Sequence, residues 1–101
     1  MKLSIDTSNS NRTVVELDDK RWEFDTKQHK SQRLLDLINR TLRKEKRILE
    51  ELTAVEVNLG PGSFTGLRVG VAVANALGWV LKIPVNDKKV GESVEPKYGK
   101  S

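Results

Sequence analysis

The sequence predicts a single α/β domain on a mixed sheet, with its elements in the order β-β-β-α-β-α-β. Two observations carry this prediction. Residues 2–26 contain three short segments in which apolar and polar side chains alternate, separated by polar turns, and this is typical of an antiparallel meander. Residues 31–82 then contain a helical periodicity, a strand and a long apolar helix in succession. The length of 101 residues suffices for one core and not for two.

The N-terminal part of the chain supplies the meander and the first helix. The three strands are predicted at residues 2–7, 13–17 and 21–26, where residues such as Leu3 alternate with polar neighbours. A helix is predicted to begin near Ser31. Its apolar face consists of Leu34, Leu35, Ile38 and Leu42.

The second half of the chain continues with a strand, a turn and a helix. The strand is predicted at residues 54–59, and the helix runs from a cap at Ser63 to about Lys82. Residues 84 and 85 add a short fifth strand, which completes the layout of a ribonuclease H-like half-domain. Residues 87–101 are polar and aperiodic, so we expect a flexible tail after a domain of residues 1–86.

Composition excludes several function classes. The chain has no cysteine, which excludes disulfides, thiolate metal sites and a cysteine nucleophile. Its single histidine, His29, cannot form a metal site with a second one, and we expect no metal or catalytic role for it. The N-terminus lacks the pattern of a signal peptide. The longest nearly apolar run, residues 69–81, is shorter than the ~20 residues that a membrane span needs. We therefore expect a cytoplasmic protein without membrane contact.

The charge of the chain is uneven. The net charge is +4, and ten of the eighteen basic residues lie between Lys20 and Arg47. Such an excess favours a polyanion such as RNA, but it is also typical of a solvated helix face. The sequence leaves both interpretations open.

The stretch NLGPGSFTGLRVGVAVANALG, residues 58–78, places a glycine-rich turn before an apolar helix, as phosphate-binding loops do. Its glycines do not have the G-x-G-x-x-G spacing of a dinucleotide site, and no Lys-Ser/Thr follows the last of them, as a Walker A loop requires. The other interpretation is that the glycines only permit a tight turn from strand to helix. The turn motif consists of Gly60, Pro61, Gly62, Ser63, Gly66 and Arg68.

A phosphate-binding function remains as an alternative. A helix N-terminus attracts anions through its free N–H groups, and Arg68 would assist. The first strand ends in Asp6, Thr7 and Ser8, which offer a carboxylate and two hydroxyls. The alternative is a nucleotide- or phosphate-binding module that uses Asp6, Thr7 and Ser63.

The helix after the turn is apolar on nearly all sides and must therefore be buried on nearly all sides. Its small residues recur every four positions, at Gly66, Gly70, Ala74 and Gly78, and form a seam that another backbone can approach closely. One sheet covers only one side, so either the first helix or a second protein molecule covers the rest. The surface predicted for a partner consists of Phe64, Leu67, Gly70, Val71, Ala74, Asn75, Leu77 and Gly78, with Leu34 and Ile38 of the first helix.

Three motifs resemble the TsaB/YeaZ family, which takes part in making threonylcarbamoyladenosine on tRNA. They are I-D-T-S at residues 5–8, S-Q-R-L-L at 31–35 and G-P-G-S-F-T-G-L-R at 60–68. The resemblance covers about residues 2–86 and implies half of an actin-like ATPase fold. Family members are paralogues of the catalytic subunit TsaD that lack its metal-binding histidines. They pair with TsaD through helices of the N-terminal lobe, together with the ATPase TsaE, and similar packing makes homodimers.

The resemblance implies a non-catalytic subunit without a cofactor. Its expected partners are a TsaD-like subunit and a TsaE-like ATPase, with a homodimer when the chain is alone and with tRNA contacted indirectly. Two departures stand against the family pattern. Lys30 occupies the place of a usual histidine, with His29 displaced by one. We also expect the second lobe that would complete a nucleotide cleft to be missing, which would leave Asp6, Thr7 and Ser8 as a vestigial phosphate site. A self-associating homodimer outside the pathway is the remaining alternative.

Overall fold

The computed structural model describes residues 1–26 and 33–97 and places two helices on one face of a four-stranded sheet. In chain order the elements are β1 (Lys2–Asn9), β2 (Arg12–Leu17), β3 (Lys20–Asp25), α1 (Leu34–Lys44), a single 3-10 turn (Leu49–Glu51), β4 (Ala54–Val57) and α2 (Phe64–Leu81). The predicted order is confirmed up to α2, with shifts of one to three residues at most element ends.

The sheet is mixed, with the strand order β3-β2-β1-β4. The three N-terminal strands form the predicted antiparallel meander, and β4 lies parallel to β1. In this register Leu3 lies opposite both Leu17 and Val55, and the same alternation continues along β1. Because successive side chains point to opposite faces, the apolar rows all point toward the helices, where they are buried.

The other face of the sheet is open and polar. Its side chains form exposed ion pairs, Lys2–Glu56, Arg12–Glu23, Arg21–Glu16 and Arg21–Glu23, with N···O distances between 2.9 and 3.3 Å. Exposed pairs of this kind contribute about 0–1 kcal/mol each. Their main consequence is that the cations on this face are neutralised by neighbouring carboxylates.

Helix α1 buries one stripe against the sheet and exposes the other. Its buried residues are Leu34, Leu37, Ile38, Thr41 and Leu42. The helix begins after Arg33, whose backbone N–H donates to the Asp36 carboxylate at 3.3 Å. The predicted start near Ser31, and the predictions for His29 and Lys30, lie outside the described residues.

The predicted fifth strand is reduced to one parallel bridge between Val85 and Val55. Asn86 extends the pairing with its side chain, since its amide oxygen accepts from the N–H of Val57 at 2.8 Å and its amide nitrogen donates to the carbonyl of Val57 at 3.1 Å. An amide side chain carries the same donor and acceptor as a peptide group. The outer edge of β4 is therefore partly closed by residues 84–86.

The expectation of a flexible tail from residue 87 is wrong for residues 87–97. Val94 is only 4% exposed and belongs to the hydrophobic core. The side chain of Asn75 on α2 accepts from the N–H of Val94 and donates to its carbonyl, both at 2.9 Å. Further along, the N–H of Lys97 donates to the carbonyl of Leu59 at 2.5 Å. We call residues 91–97 the strap. The polar composition of the strap did not predict its packing against α2 and the turn, because backbone groups and one valine make these contacts.

Candidate functional site

The turn between β4 and α2 is fixed to the end of β1 and to the strap. The N–H of Ser63 donates to the carbonyl of Ser8 at 2.7 Å, and the N–H of Gly60 donates to the side chain of Asn58 at 2.9 Å. Gly60 has a φ of +114°, which favours glycine. A Cβ at this position would also lie 1.9 Å from the carbonyl oxygen of Lys97. The predicted role of this glycine in a tight turn is confirmed.

The polar groups at the start of α2 form hydrogen bonds with other groups of the same chain. Ser63 caps the helix as predicted, since its hydroxyl accepts from the N–H of Gly66 at 3.2 Å. The hydroxyl of Thr7 donates to the carbonyl of Gly66 at 2.6 Å and so ties β1 to the helix. The guanidinium of Arg68 lies over the ring of Phe64, 5.6 Å from its centroid. Pro61 and Gly62 are exposed at the tip of the turn.

The carboxylate of Asp6 closes a local turn. One of its oxygens accepts from the backbone N–H of Ser8 at 2.9 Å and from the Ser8 hydroxyl at 2.6 Å, and the amide of Asn58 donates to that hydroxyl at 3.3 Å. Burial acts to raise the pKa of Asp6, but the hydrogen bonds from Ser8 and Asn58 and the charge of Arg21 together outweigh it, so that the pKa lies below its ordinary value. This is the arrangement of a turn-forming aspartate.

The groups proposed for phosphate binding do not converge on one space. Strand alternation places Thr7 on the helix side of β1, whereas Asp6 and Ser8 lie on the open side. The hydroxyl of Ser63 is used by the helix cap. Within residues 1–26 and 33–97, no group of three or more histidine or carboxylate side chains is placed to hold a metal ion. The geometry therefore gives no support to the nucleotide- or phosphate-binding alternative.

The small-residue seam of α2 packs against the sheet of this same chain. A Cβ at Gly70 would lie 2.3 Å from the hydroxyl oxygen of Thr7, and one at Gly78 would lie 2.5 Å from a methyl group of Val85. The prediction that this seam meets a partner is wrong, because small-residue periodicity reports a close approach without reporting what approaches. The predicted interface residues that are buried in this core are Leu34, Ile38, Leu67, Gly70, Val71, Ala74, Leu77 and Gly78.

Two predicted interface residues lie elsewhere. Phe64 is 57% exposed at the N-terminal end of α2, and Asn75 is half-buried because its side chain holds the strap. Neither belongs to the row of residues that meets the sheet.

The opposite side of α2 carries exposed apolar side chains. Val69, Trp79 and Val80 are 44%, 75% and 71% exposed, and Thr65, Ala72 and Ala76 are exposed between them. We call these six residues the outer face. The sequence contained a signal for it, because these positions lie opposite Gly70 and Ala74 on a helix of 3.6 residues per turn. Small residues flanked by larger ones form a groove that suits the ridge of another helix.

Helix α2 also satisfies, by length and composition alone, the requirements for crossing a membrane, and it is the one helix in the described part of the chain that does so. Its packing on β1 and β4 is that of a core helix.

Comparison with known proteins adds to this geometry. The family model for TsaD, tRNA N6-adenosine threonylcarbamoyltransferase, matches residues 24–87. The tRNA threonylcarbamoyladenosine biosynthesis protein TsaB of Bacillus subtilis (strain 168) is 35% identical over 88 residues, which cover 83% of this chain and 38% of that protein. The chain belongs to the TsaB/YeaZ family. The protein of the same name from Buchnera aphidicola subsp. Schizaphis graminum is 38% identical over 53 residues, covering 52% of this chain and 25% of that protein.

The fold of the family is also present. YeaZ from Pseudomonas aeruginosa superposes with a TM-score of 0.67 at 27% identity, over 83% of this chain and 42% of the YeaZ chain. The predicted fold class, a ribonuclease H-like half-domain of the actin-like ATPase type, is confirmed. The chain spans less than half the length of these TsaB and YeaZ relatives. The TsaD family match ends at residue 87, so the strap lies beyond it.

Proposed function

We propose that this protein acts in threonylcarbamoyladenosine biosynthesis on tRNA, as a non-catalytic cytoplasmic subunit that pairs with a TsaD-like subunit. The TsaB relatives are named for this process, and the match to the TsaD family model links the chain to such a partner by descent. The observation that carries the pairing is the outer face of α2. It leaves large apolar side chains in water while the opposite side of the same helix is fully used by the core.

The outer face has the chemistry of a helix-packing surface. Burial of apolar area stabilises association by about 25 cal/mol per Å² before the costs of binding. Trp79 is an aromatic residue of the kind that dominates such interfaces. Ala72 and Ala76 would let a partner helix approach closely between Val69 and Val80. The same surface, placed across a two-fold axis, would make the homodimer when no TsaD-like subunit is present.

The non-catalytic assignment is supported by the use of the polar groups. The side chains of Asp6, Thr7 and Ser63, which would serve a phosphate, are each hydrogen-bonded within the chain. In this proposal the TsaD-like subunit supplies the chemistry, a TsaE-like ATPase joins the complex, and this chain contributes a docking surface.

A matched pair of substitutions tests the proposal. Val80→Arg places a charge on the outer face, and Val90→Arg places the same charge at an exposed position outside α2, so both variants are expected to fold. Affinity for the TsaD-like subunit of the same genome is measured by isothermal titration calorimetry. Val80→Arg is expected to weaken binding about 30-fold, the equivalent of losing a hot spot worth about 2 kcal/mol, whereas Val90→Arg leaves it unchanged.

The remaining outcomes separate the alternatives. A protein that forms a homodimer by light scattering but never binds the TsaD-like subunit belongs outside the pathway. In a reconstituted assay with TsaD-like and TsaE-like subunits and tRNA, the wild-type protein should support modification and the folded Val80→Arg variant should not. Equal modification with both proteins would overturn the pairing through α2.

A further inference from the structure

The exposed side of α1 and the turn after it carry the charge of the molecule. Residues 33–47 contain six basic and two acidic residues, a net charge of +4 that equals the net charge of the whole chain. The rest of the chain is therefore neutral overall. We call Arg40, Arg43, Lys44, Lys46 and Arg47 the basic ridge.

The basic ridge differs from the cations on the open face of the sheet, because most of its side chains have no ion pair. On the sheet, every basic side chain described above lies beside a glutamate. In the ridge, Arg47 pairs with Glu51. The carboxylate of Glu45 pairs with Lys20 of the sheet at 2.6 Å and forms no ion pair with a cation of the ridge. Within the described residues 1–26 and 33–97, four cations of the ridge have no ion pair. They are Arg40, Arg43, Lys44 and Lys46.

A purely structural role accounts for only part of this charge. Arg43 and Lys44 lie in the last turn of α1, where the helix dipole favours cations. Arg40 lies a turn earlier, and Lys46 lies beyond the helix end with a φ of +55°. These two positions gain little from the dipole, so its effect does not explain the ridge as a unit.

The surface of the ridge contains two shallow depressions that suit phosphate groups. A shallow depression of about 280 Å³ is lined by Arg40 and Arg43 with Asn39 and the carboxylate of Asp36. A second depression of about 220 Å³ is lined by Arg43, Arg47, Asn39 and Glu50 with three apolar residues, so two arginines meet a single carboxylate in each. Arg43 thus stands between the two. Guanidinium groups bind phosphate oxygens through paired hydrogen bonds, and the Asn39 amide offers a further donor.

We propose that the basic ridge binds the phosphate backbone of tRNA directly. The charge and relief of the ridge stand on the structure alone, whereas the identification of the polyanion as tRNA rests on the proposed function. Two adjoining depressions that share one arginine suit the repeated phosphates of a nucleic acid strand, which an acidic protein does not present at regular intervals. Helices α1 and α2 contact each other on one face of the sheet, so the ridge and the outer face lie on neighbouring helices.

Fluorescence anisotropy with a labelled, unmodified tRNA transcript and the whole chain tests this proposal. The ridge variant is Arg43→Gln/Lys44→Gln/Lys46→Gln, and the matched control is Lys82→Gln/Lys88→Gln/Lys89→Gln, which changes the net charge equally at exposed positions elsewhere. Each phosphate contact contributes about 0.7 to 0.9 to the slope of log K against log salt. We expect the ridge variant to bind at least about tenfold more weakly at 100 mM KCl and to lose about two units of slope. The control should change affinity less than about threefold.

The outcomes are separable from those of the proposed function. An equal loss in both triple variants would show attraction by net charge alone and would overturn the ridge, as would the absence of tRNA binding by the wild-type protein. Polyglutamate that competes as well as tRNA at equal charge would overturn RNA as the occupant. The ridge variant is expected to keep its affinity for the TsaD-like subunit, and Val80→Arg is expected to keep its affinity for tRNA, so each proposal can fail while the other stands.

Discussion

Shortening Val94 to alanine tests whether the strap belongs to the folded domain. Val94 is 4% exposed and packs in the core, and the substitution removes two methyl groups. At about 0.8 kcal/mol per buried group, the lost transfer free energy is about 1.5 kcal/mol, and the cavity left behind raises the expected loss to about 2–3 kcal/mol. This is a large share of the stability of a domain of this size.

Replacing Asn75 by alanine reaches the same segment from the helix. The variant loses both hydrogen bonds to Val94, each of which contributes about 1 kcal/mol net, so we expect a loss of about 2 kcal/mol. Asn75→Asp keeps the acceptor for the N–H of Val94 but turns an oxygen toward its carbonyl, and it should be no more stable than the alanine variant. The double variant Asn75→Ala/Val94→Ala should lose less than the sum, because either change releases the same strap.

Urea unfolding followed by circular dichroism measures these free energies of unfolding. Val90→Ala is the control, since Val90 lies near the strap but is 54% exposed, and it should change stability by no more than about 0.5 kcal/mol. In a thermal melt, about 2 kcal/mol corresponds to a fall in Tm of roughly 8–16 °C. Equal free energies for Val94→Ala and Val90→Ala would refute the attachment of the strap.

Three further predictions concern the sheet and α2. Gly70→Ala should lower the free energy of unfolding by about 1–3 kcal/mol in a urea titration, because the new Cβ would lie 2.3 Å from the Thr7 hydroxyl. Helix propensity alone predicts a higher free energy of unfolding, and that result would contradict this packing. Ser63→Ala should lower the Tm through the loss of about 1 kcal/mol of capping. Because the pKa of folded Asp6 lies below its ordinary value, its contribution is fully present above about pH 4 and is lost as the pH falls further. Asp6→Asn should therefore destabilise the protein more at pH 6 than at pH 3 in urea titrations, and equal losses would count against the assignment.

Local chemistry was enough to predict much of the fold. The alternation of apolar residues around Leu3 placed the meander and its buried face correctly, since a strand has only two faces to choose between. The cap at Ser63 followed from the types of residue at a helix start, and the structure confirms it. The fifth strand was over-predicted, because residues 84 and 85 have the composition of a strand while the side chain of Asn86 takes over the pairing.

The candidate site was less predictable because it depends on what lies next to each helix face. The strap escaped prediction for a related reason. The side chain of Asn75 pairs with the backbone of Val94, and the side chain of Asn86 pairs with the backbone of Val57, each as a peptide group would. Contacts of this kind leave no periodic pattern in the sequence. Surface charge, in contrast, was visible in the sequence, but only the structure shows which cations are neutralised by neighbours and which remain in the basic ridge.

The two sides of α2 place folding and partner recognition on different residues of one helix. Because Gly70 meets Thr7 inside the chain, a bulky residue there would disturb the fold, and any loss of partner binding would be a consequence of that disturbance. Val80 is 71% exposed, so an arginine there leaves the core untouched and acts only on whatever docks. A variant set at these two positions therefore separates an unfolded subunit from a folded one that cannot dock. If Gly70→Leu remained folded and lost its partner, the seam rather than the outer face would be the docking surface.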